Sequence, residues 1–209
     1  MADLPITLDP PLAERLARVL DAEGKIPRAL DALGPVADRD VVLVGGGSLR
    51  AGQLAAAGAR VSGVEWDDGR LPAGDGSADA IVGCWSVFRG VNPPELAEAE
   101  RVLRPEGRLL IVHDYGRDDI SGLRGDRPEY GAWGRRDGPF LAAGFRIRVL
   151  HCWWTFDDLE TASSFLGAAF GEAGIALAAG LRRPRLSYNV AVYHRDRSGS
   201  ATPGDGPTA

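Results

Sequence analysis

The chain has 209 residues and a net charge of −5, with 44% hydrophobic and 25% charged residues, which is the size and composition of one soluble globular domain. This acidic balance argues against a nucleic-acid-binding surface, because phosphate binding needs clustered lysine and arginine. The first residues lack a basic segment followed by an apolar one, and no apolar run approaches the ~18–20 residues of a membrane helix, so we expect a cytoplasmic protein without membrane contact.

Apolar periodicity predicts an alternation of helices and strands. Leucines and valines at helical spacing predict a helical lead over residues 1–38, broken near Gly24–Pro27. Residues 115–138 predict a long loop, and the chain is expected to form one domain over 1–195 with a disordered tail over 196–209. Further helices are expected at 49–59, 92–107, 138–144 and 157–174, and strands at 40–44, 60–65, 78–87, 108–114, 145–156 and 185–195.

Strands that alternate with helices predict an α/β fold with a mostly parallel sheet, right-handed crossovers and helices on both faces. Ligands of such sheets bind beyond the carboxyl ends of the strands, near the first strand. Four predicted strand ends carry chemically useful residues, which we therefore expect to form one site. They are a glycine turn, Glu65, Cys84–Trp85 and His113–Asp114.

The stretch VVLVGGGSLRAG, residues 41–52, joins an apolar strand to a helix through three glycines. Gly45, Gly46 and Gly47 allow a sharp turn and let a ligand lie against the backbone, and the following helix offers free N–H groups. Glu65 comes 18 residues after Gly47, where an acid can accept hydrogen bonds from both hydroxyls of a ribose. The pattern predicts a nucleotide site; a tight turn beside a solvated acid is the alternative.

The segments LPAGDGSADAIVGCWSV and LAEAERVLRPEGRLLIVHD resemble the second half of class I S-adenosylmethionine-dependent methyltransferases that act on small molecules. In that family a segment LPF-D-S-FD leads into a strand, and a helix–turn–strand L-E--RVLRPGG-L-I follows. The resemblance covers residues 40–114 and implies a Rossmann-like three-layer sandwich with an antiparallel C-terminal edge strand. The matching residues are Leu71–Pro72, Asp75, Ser77, Asp79, Glu100, Arg101, Val102, Leu103, Arg104, Pro105 and Gly107.

The resemblance also implies S-adenosylmethionine as cofactor. The glycine turn would face its methionine and ribose portions, and the acid after the second strand would bind the ribose hydroxyls. The next residues would surround the adenine, with a tryptophan able to stack on the ring, and the end of the third strand would line the methyl-donor end. The residues so placed around the cofactor are Gly45, Gly46, Gly47, Glu65, Trp66, Asp67, Cys84 and Trp85.

Three features depart from the family pattern. Leu43 stands where the first strand usually has an acid, and Leu49 replaces the last glycine of the loop. Only five residues separate Glu65 from Leu71, where the family has a whole helix and strand. A non-catalytic descendant that acts as a binding or scaffold module is therefore the alternative function.

The residues after the fourth strand lie where an acceptor would bind. Methyl transfer needs in-line alignment and sometimes a base. His113 is the candidate base because its ordinary pKa lies near neutrality, and a packed strand-end histidine is the alternative. Asp114, Tyr115 and Arg117 are the candidate residues for binding the acceptor, which we expect to be a small molecule. The sequence indicates neither its identity nor the oligomeric state.

A nicotinamide- or flavin-dependent oxidoreductase is a second alternative. The glycine turn and Glu65 favour it, whereas the lack of a second domain and of a Tyr-x-x-x-Lys pair disfavours it. The histidines have no ligand spacing for zinc, so no metal site is predicted. Cys84 and Cys152 are expected to be reduced and buried.

Overall fold

The computed structural model describes residues 4–45 and 47–197. Helices and strands alternate as the periodicity predicts. The helices of this part are α1 (Pro10–Val19), α2 (Lys25–Leu33), α3 (Ser48–Ala56), α4 (Pro93–Val102), α5 (Asp119–Arg124), α6 (Pro139–Ala142) and α7 (Leu159–Ala179). Its strands are β1 (Asp40–Val44), β2 (Arg60–Val64), β3 (Ala78–Cys84), β4 (Leu103–Asp114), β5 (Arg146–Thr155) and β6 (Arg185–Asp196).

The six strands form one sheet in the order β2-β1-β3-β4-β6-β5. β1, β2, β3 and β4 pair in parallel, and β6 pairs antiparallel with both β4 and β5, so the predicted mostly parallel α/β sheet is confirmed. The antiparallel C-terminal strand lies one place in from the edge, between β4 and β5. Burial agrees with this order, because β6 is buried along most of its length whereas β5 alternates between covered and exposed residues, as an edge strand does.

Helices cover both faces of the sheet, which gives the predicted three layers. We call the two resulting clusters the first core and the second core. The first core lies under α1, α2, α3 and α7 and includes Leu16, Leu30, Leu54 and Phe165. The second core lies under α4 and α6 and includes Val102 and Phe140, among others. Consecutive strand residues point to opposite faces, so each strand contributes to both.

Helix α4 ends at Val102, five residues before the predicted limit of 107. The reason is Pro105, which disfavours a helical conformation at the residue before it. The chain instead enters β4 at once, where Leu103 pairs with Ala78 of β3. The predicted strand 108–114 is therefore the second half of a longer strand.

Three of the motif residues that resemble methyltransferases, Leu71, Asp75 and Arg101, form a structural clasp together with Glu98. Arg101 donates hydrogen bonds to Asp75 at 2.5 Å, to Glu98 at 2.5 and 2.9 Å, and to the Leu71 carbonyl at 3.1 Å. The Leu71 N–H in turn donates to Glu98 at 2.9 Å. These bonds fasten the segment before β3 to helix α4, so the two halves of the motif are paired in space.

The connection from β2 to β3, residues 65–77, contains no helix although it crosses β1 between parallel strands. Asp67 and Arg70 exchange backbone hydrogen bonds at 2.8 and 2.9 Å around Asp68 and Gly69, both with positive φ. Two consecutive positive φ values are typical of a type I′ turn, for which Asp-Gly is a preferred pair. The predicted loss of a helix–strand unit is therefore confirmed, and a tight turn takes its place.

Helix α7 corrects the expectation about long apolar stretches. It has 21 residues, and an 18-residue window of it reaches a mean hydropathy of 1.3, enough by length and composition to cross a membrane. The apolar residues of this window are mostly alanines with the larger ones scattered among them, so the sequence shows no long run of large apolar residues. However, Gly171 has φ 59° and ψ −137°, which bends the helix sharply. A Cβ on Gly174 would lie 2.0 Å from the Leu166 carbonyl oxygen, so the two halves touch.

The domain limits stay a prediction. Strand β6 extends to Asp196, and the Arg197 N–H donates to the Gly107 carbonyl at 2.7 Å. These two residues of the predicted tail are thus ordered against the sheet. Residues 198–209 lie outside the described part.

Candidate functional site

The ends of β1, β2 and β3 meet around Gly45. The Gly45 N–H donates to the Val64 carbonyl at 2.9 Å, and its φ of +65° is a left-handed conformation that glycine adopts without strain. A Cβ there would lie 2.8 Å from Ser86 Oγ and 3.9 Å from Glu65 Oε2. The predicted convergence of the glycine turn, the ribose acid and the third strand end is therefore present in the geometry.

The first turn of α3 follows directly. Gly47 is buried and precedes the helix without a side chain to cap it, and no side chain of the described residues bonds to the N–H groups at the helix start. Such N–H groups attract negatively charged or oxygen-rich ligands. Gly46, the middle residue of the predicted loop, lies outside the described residues.

In the predicted adenine-binding segment, Trp66 packs against the protein and the acids on either side of it face solvent. Trp66 packs edge-on against Phe88 with ring centroids 5.6 Å apart, and its Nε1 is buried with no hydrogen-bond partner in the described chain. Glu65 and Asp67 are exposed on either side of it. The two carboxylates are therefore available to a ligand, while the indole is held partly by the second core.

The segment after β3 is strained. The Ser86 N–H donates to the Cys84 carbonyl at 2.5 Å, which closes a three-residue turn centred on Trp85. Trp85, Phe88 and Val91 all have positive φ, a costly conformation for bulky side chains that concentrates at functional sites. Trp85 is 4% exposed and Cys84 is fully buried, so of this predicted pair Trp85 alone reaches a cavity.

Asp114 fixes the side chain of Trp85 by a hydrogen bond. Its Oδ1 accepts hydrogen bonds from Trp85 Nε1 at 3.0 Å and from the Tyr188 hydroxyl, and its Oδ2 pairs with Arg124. Burial raises the pKa of Asp114, whereas Arg124 and Tyr188 stabilise the carboxylate. Three donors occupy both oxygens, so Asp114 positions Trp85 and Arg124. Because both carboxylate oxygens of Asp114 already accept hydrogen bonds within the protein, neither is free for the predicted contact with an acceptor.

His113 points to the opposite face. It is 1% exposed and packs edge-on against Trp133 with centroids 4.9 Å apart, beside Phe140. Burial, with a smaller effect of the Arg89 charge, lowers its pKa to about 4. A base must reach the proton that it removes, so this burial argues against the predicted catalytic role.

Tyr115 and Arg117 lie on the His113 side of the sheet. Tyr115 is half-buried against the second core, and the Arg117 guanidinium lies 5.8 Å from its ring centroid. Arg117 is exposed. The structure thus brings these two predicted acceptor residues together, but neither lines the cavity beside Trp85.

That cavity has a volume of about 570 Å³ and lies at the carboxyl ends of β3 and β4. Sequence reasoning missed most of its lining, because the residues come from distant segments with no common motif. Trp85 and Ser86 form its floor towards Gly45. The remaining lining residues of interest are Leu4, Ile6, Leu8, Arg89, Leu123, Arg124, Arg127 and Phe170.

Arg50, in the first turn of α3, is a second residue that the sequence did not single out. It is 3% exposed, and its guanidinium lies 5.9 Å from the Trp85 ring centroid. It donates to Gln53 Oε1 at 2.6 Å, but Nε has no partner and the described residues include no acid paired with it. A buried cation without a counter-charge is costly, so this position favours an anionic group of a ligand. The described residues contain no metal-binding cluster.

Comparison with known proteins establishes the fold. No protein-family model matches the chain, and no curated protein sequence is similar to it. A candidate type II methyltransferase from Anaeromyxobacter dehalogenans superimposes with TM-score 0.53 and 17% identity, covering 82% of this chain and 95% of that one. A SAM-dependent methyltransferase from Aquifex aeolicus gives 0.50 and 19%, covering 89% and 93%. The chain therefore has the class I SAM-dependent methyltransferase fold.

A third structure agrees with these two. A candidate methyltransferase from an antibiotic biosynthesis pathway of Anabaena variabilis superimposes with TM-score 0.51 and 14% identity, covering 85% of this chain and 98% of that one. In each case nearly the whole solved chain is covered. The likeness is thus one of complete folds and not of a shared fragment.

Proposed function

We propose that the chain transfers a methyl group from S-adenosylmethionine to a small molecule in the cytoplasm, without nucleic acid or membrane as partner. The observation that carries this proposal is the convergence of Gly45, Glu65 and Ser86 at three adjacent strand ends of a methyltransferase fold. A glycine against which a ligand can lie, an exposed acid and uncapped helix N–H groups suit a ribonucleoside.

The residues present fit the cofactor. Glu65 would accept hydrogen bonds from the ribose hydroxyls, and Trp66 with Asp67 would adjoin the adenine. The backbone at Gly45 and Gly47 would contact the methionine portion. Its carboxylate would pair with Arg50, which has no acidic partner among the described residues. Glu65 and Asp67 are exposed, and Arg50 Nε and Trp66 Nε1 have no hydrogen-bond partner in the described chain, so these four residues have groups left for the cofactor.

When bound, the cofactor supplies a methyl carbon on a positively charged sulfur; an acceptor lone pair forms the new bond and the electron pair of the broken carbon–sulfur bond goes to sulfur. The chain contributes orientation and exclusion of water. Trp85, fixed by Asp114 and Tyr188, forms a rigid apolar wall next to Ser86. Alignment of this kind provides most of the rate in a transfer that needs no acid or base.

Calorimetric titration with S-adenosylmethionine and S-adenosylhomocysteine, with NAD and FAD as controls, tests the proposal. We expect both adenosyl compounds to bind and neither dinucleotide to do so. Glu65→Gln should weaken binding at least tenfold, because it removes a charged hydrogen-bond acceptor worth about 1.5–3 kcal/mol. Glu14→Gln, at an exposed acid on α1, serves as the matched control and should leave binding unchanged.

The alternative of a non-catalytic binding module rests on Leu43 and the short connection after Glu65. Leu43 is fully buried in the first core, where the family usually has an acid. Absence of heat with all four compounds, from folded protein, would favour this alternative. Binding of NAD or FAD alone would favour an oxidoreductase.

A further inference from the structure

The cavity beside Trp85 adjoins the proposed methyl-donor end. Ser86 belongs to both places, since it lines the cavity and its Oγ lies 2.8 Å from the position of a Cβ on Gly45. A molecule held in this cavity would therefore reach the site where the methyl group is expected. The chemistry of its walls then limits what that molecule is.

Three arginines and no acidic side chain line the cavity among the described residues. Two of these arginines already have a partner behind the wall. Arg89 donates to both oxygens of the buried Glu129 at 3.0 Å, and Arg124 pairs with the buried Asp114. Their charges are thus largely compensated, and they present N–H groups with little net charge.

Arg127 is different. It is exposed at the cavity and has no carboxylate within 4.0 Å in the described chain. It acts on the buried Glu129 only at longer range, so its guanidinium N–H groups remain available to a ligand. A guanidinium in this state binds carboxylate or phosphate through paired hydrogen bonds.

The opposite wall is apolar. Leu4, Ile6 and Leu8 come from the N-terminal segment, and Phe170 comes from α7 just before its bend. The segment is fixed over the cavity because Arg124 Nη2 donates to the Pro5 carbonyl at 2.7 Å. These side chains offer a hydrocarbon surface next to the cationic one.

No lining residue of the described chain is a histidine, lysine, cysteine, tyrosine or carboxylate. The cavity therefore lacks a group that could take a proton near neutral pH. An acceptor that must lose a proton would find no general base here. An acceptor that enters as an anion needs no base.

From these walls we propose that the cavity binds an apolar molecule carrying one carboxylate or phosphate group, with Arg127 as the residue that recognises the anion. As an assignment of the methyl acceptor, this rests on the function proposed above; as a binding site, it stands on the cavity alone. The volume of about 570 Å³ accommodates a chain or ring system of metabolite size.

The test measures binding of octanoate, octyl phosphate, 1-octanol and octylamine to the full chain by calorimetry, with and without saturating S-adenosylhomocysteine. We expect at least one anion to bind tenfold or more tightly than octanol, and octylamine not to bind. The better of the two anions identifies the head group. Arg127→Ala should weaken anion binding at least tenfold, and Arg127→Lys should retain most of it.

Arg146→Ala is the matched control, because Arg146 is exposed and lies at the opposite end of the sheet. Equal binding of octanol and the anions, or anion binding unaffected by Arg127→Ala, would overturn the proposal. If S-adenosylhomocysteine binds and no anion does, the substrate class is wrong and methyl transfer stands. If the anions bind through Arg127 and S-adenosylhomocysteine does not bind, the cavity proposal stands and methyl transfer fails.

Discussion

His113 shows how burial changes the meaning of a titratable residue. Its ring is enclosed by Trp133 and Phe140, and its Nδ1 has no hydrogen-bond partner in the described chain. Its Nε2 lies 3.4 Å from the Phe88 carbonyl oxygen, at the long limit of a hydrogen bond. Such a side chain is held by packing, so its protonation affects stability before it affects catalysis.

The stability of the protein should therefore depend on pH through His113. Its pKa is lowered from 6.5 to about 4, so between these pH values the unfolded chain binds a proton at His113 and the folded chain does not. Stability is lost as pH falls from about 6.5 to 4, by about 3 kcal/mol in all.

His113→Phe should remove this loss while it keeps S-adenosylhomocysteine binding. Urea unfolding at pH 7.5 and pH 5 measures both variants. Equal pH slopes for the two proteins, or loss of ligand binding in a folded His113→Phe, would contradict the packing role.

Among single residues, the sequence placed those at the carboxyl ends of the first three strands, and their role in binding stays a prediction. Gly45 and Glu65 were found because parallel strands align their carboxyl ends, which is a rule of topology. Arg50 and Arg127 were missed because an arginine in a sequence gives no sign of whether an acid neutralises it. Only the distances between side chains reveal which charges remain unpaired.

At the scale of elements, the clasp between α4 and the segment before β3 explains why that motif is recognisable. Arg101 and Glu98 hold the Leu71 backbone by side-chain bonds that depend on their spacing along one helix face. Leu71, Asp75 and Arg101 of the motif thus hold the fold together, and this role gives no information about catalysis. This is why the motif predicted the architecture correctly and did not indicate the acceptor.

The clasp predicts acid sensitivity. Hydrogen bonds from Arg101 lower the pKa of Glu98 to about 2 from an ordinary 4.5. Its stabilisation is present above about pH 4.5 and disappears as pH falls towards 2, and because the side chains are partly exposed we expect about 1–2 kcal/mol.

Glu98→Gln should lose that part of the pH dependence. The measurement is the free energy of unfolding at pH 6 and pH 3 for the variant and the parent. A variant that loses stability between these pH values as steeply as the parent would show that Glu98 is ordinary in the folded state.

Helix α7 offers a sharp test of its bend. A methyl group on Gly174 would meet the Leu166 carbonyl oxygen at 2.0 Å, a backbone atom that cannot move aside cheaply. Gly174→Ala should destabilise the protein by about 2–4 kcal/mol. Gly52→Ala, in the middle of α3 with open space around it, should instead stabilise by about 0.5–1 kcal/mol.

Chemical denaturation of the two alanine variants and the parent measures both effects. Stability of Gly174→Ala equal to the parent would mean that α7 is straight. The sequence could not predict the bend, because Gly171 and Gly174 occur in a run of small residues that is compatible with an uninterrupted helix.

On the scale of the whole molecule, the two ends of the sheet carry different features. At the amino ends, Arg104 joins Asp40 of β1 and Asp79 of β3, each at 2.8 Å. At the carboxyl ends lie Gly45, Glu65 and the strained turn at Trp85. The ion pairs of Arg104 thus join two strands at one end of the sheet, and the strained candidate site lies at the other end.

Because a turn replaces a helix between β2 and β3, the edge strand β2 is more exposed to water than the inner strands. β2 pairs only with β1, and Arg60, Ser62 and Gly63 are exposed. In native-state hydrogen exchange, we expect β2 amides to exchange at least tenfold faster than those of β3, through opening of this edge alone. Equal protection in both strands would mean that the sheet opens only as a unit. Glu65 directly follows β2, so a ligand held by it should slow this local opening.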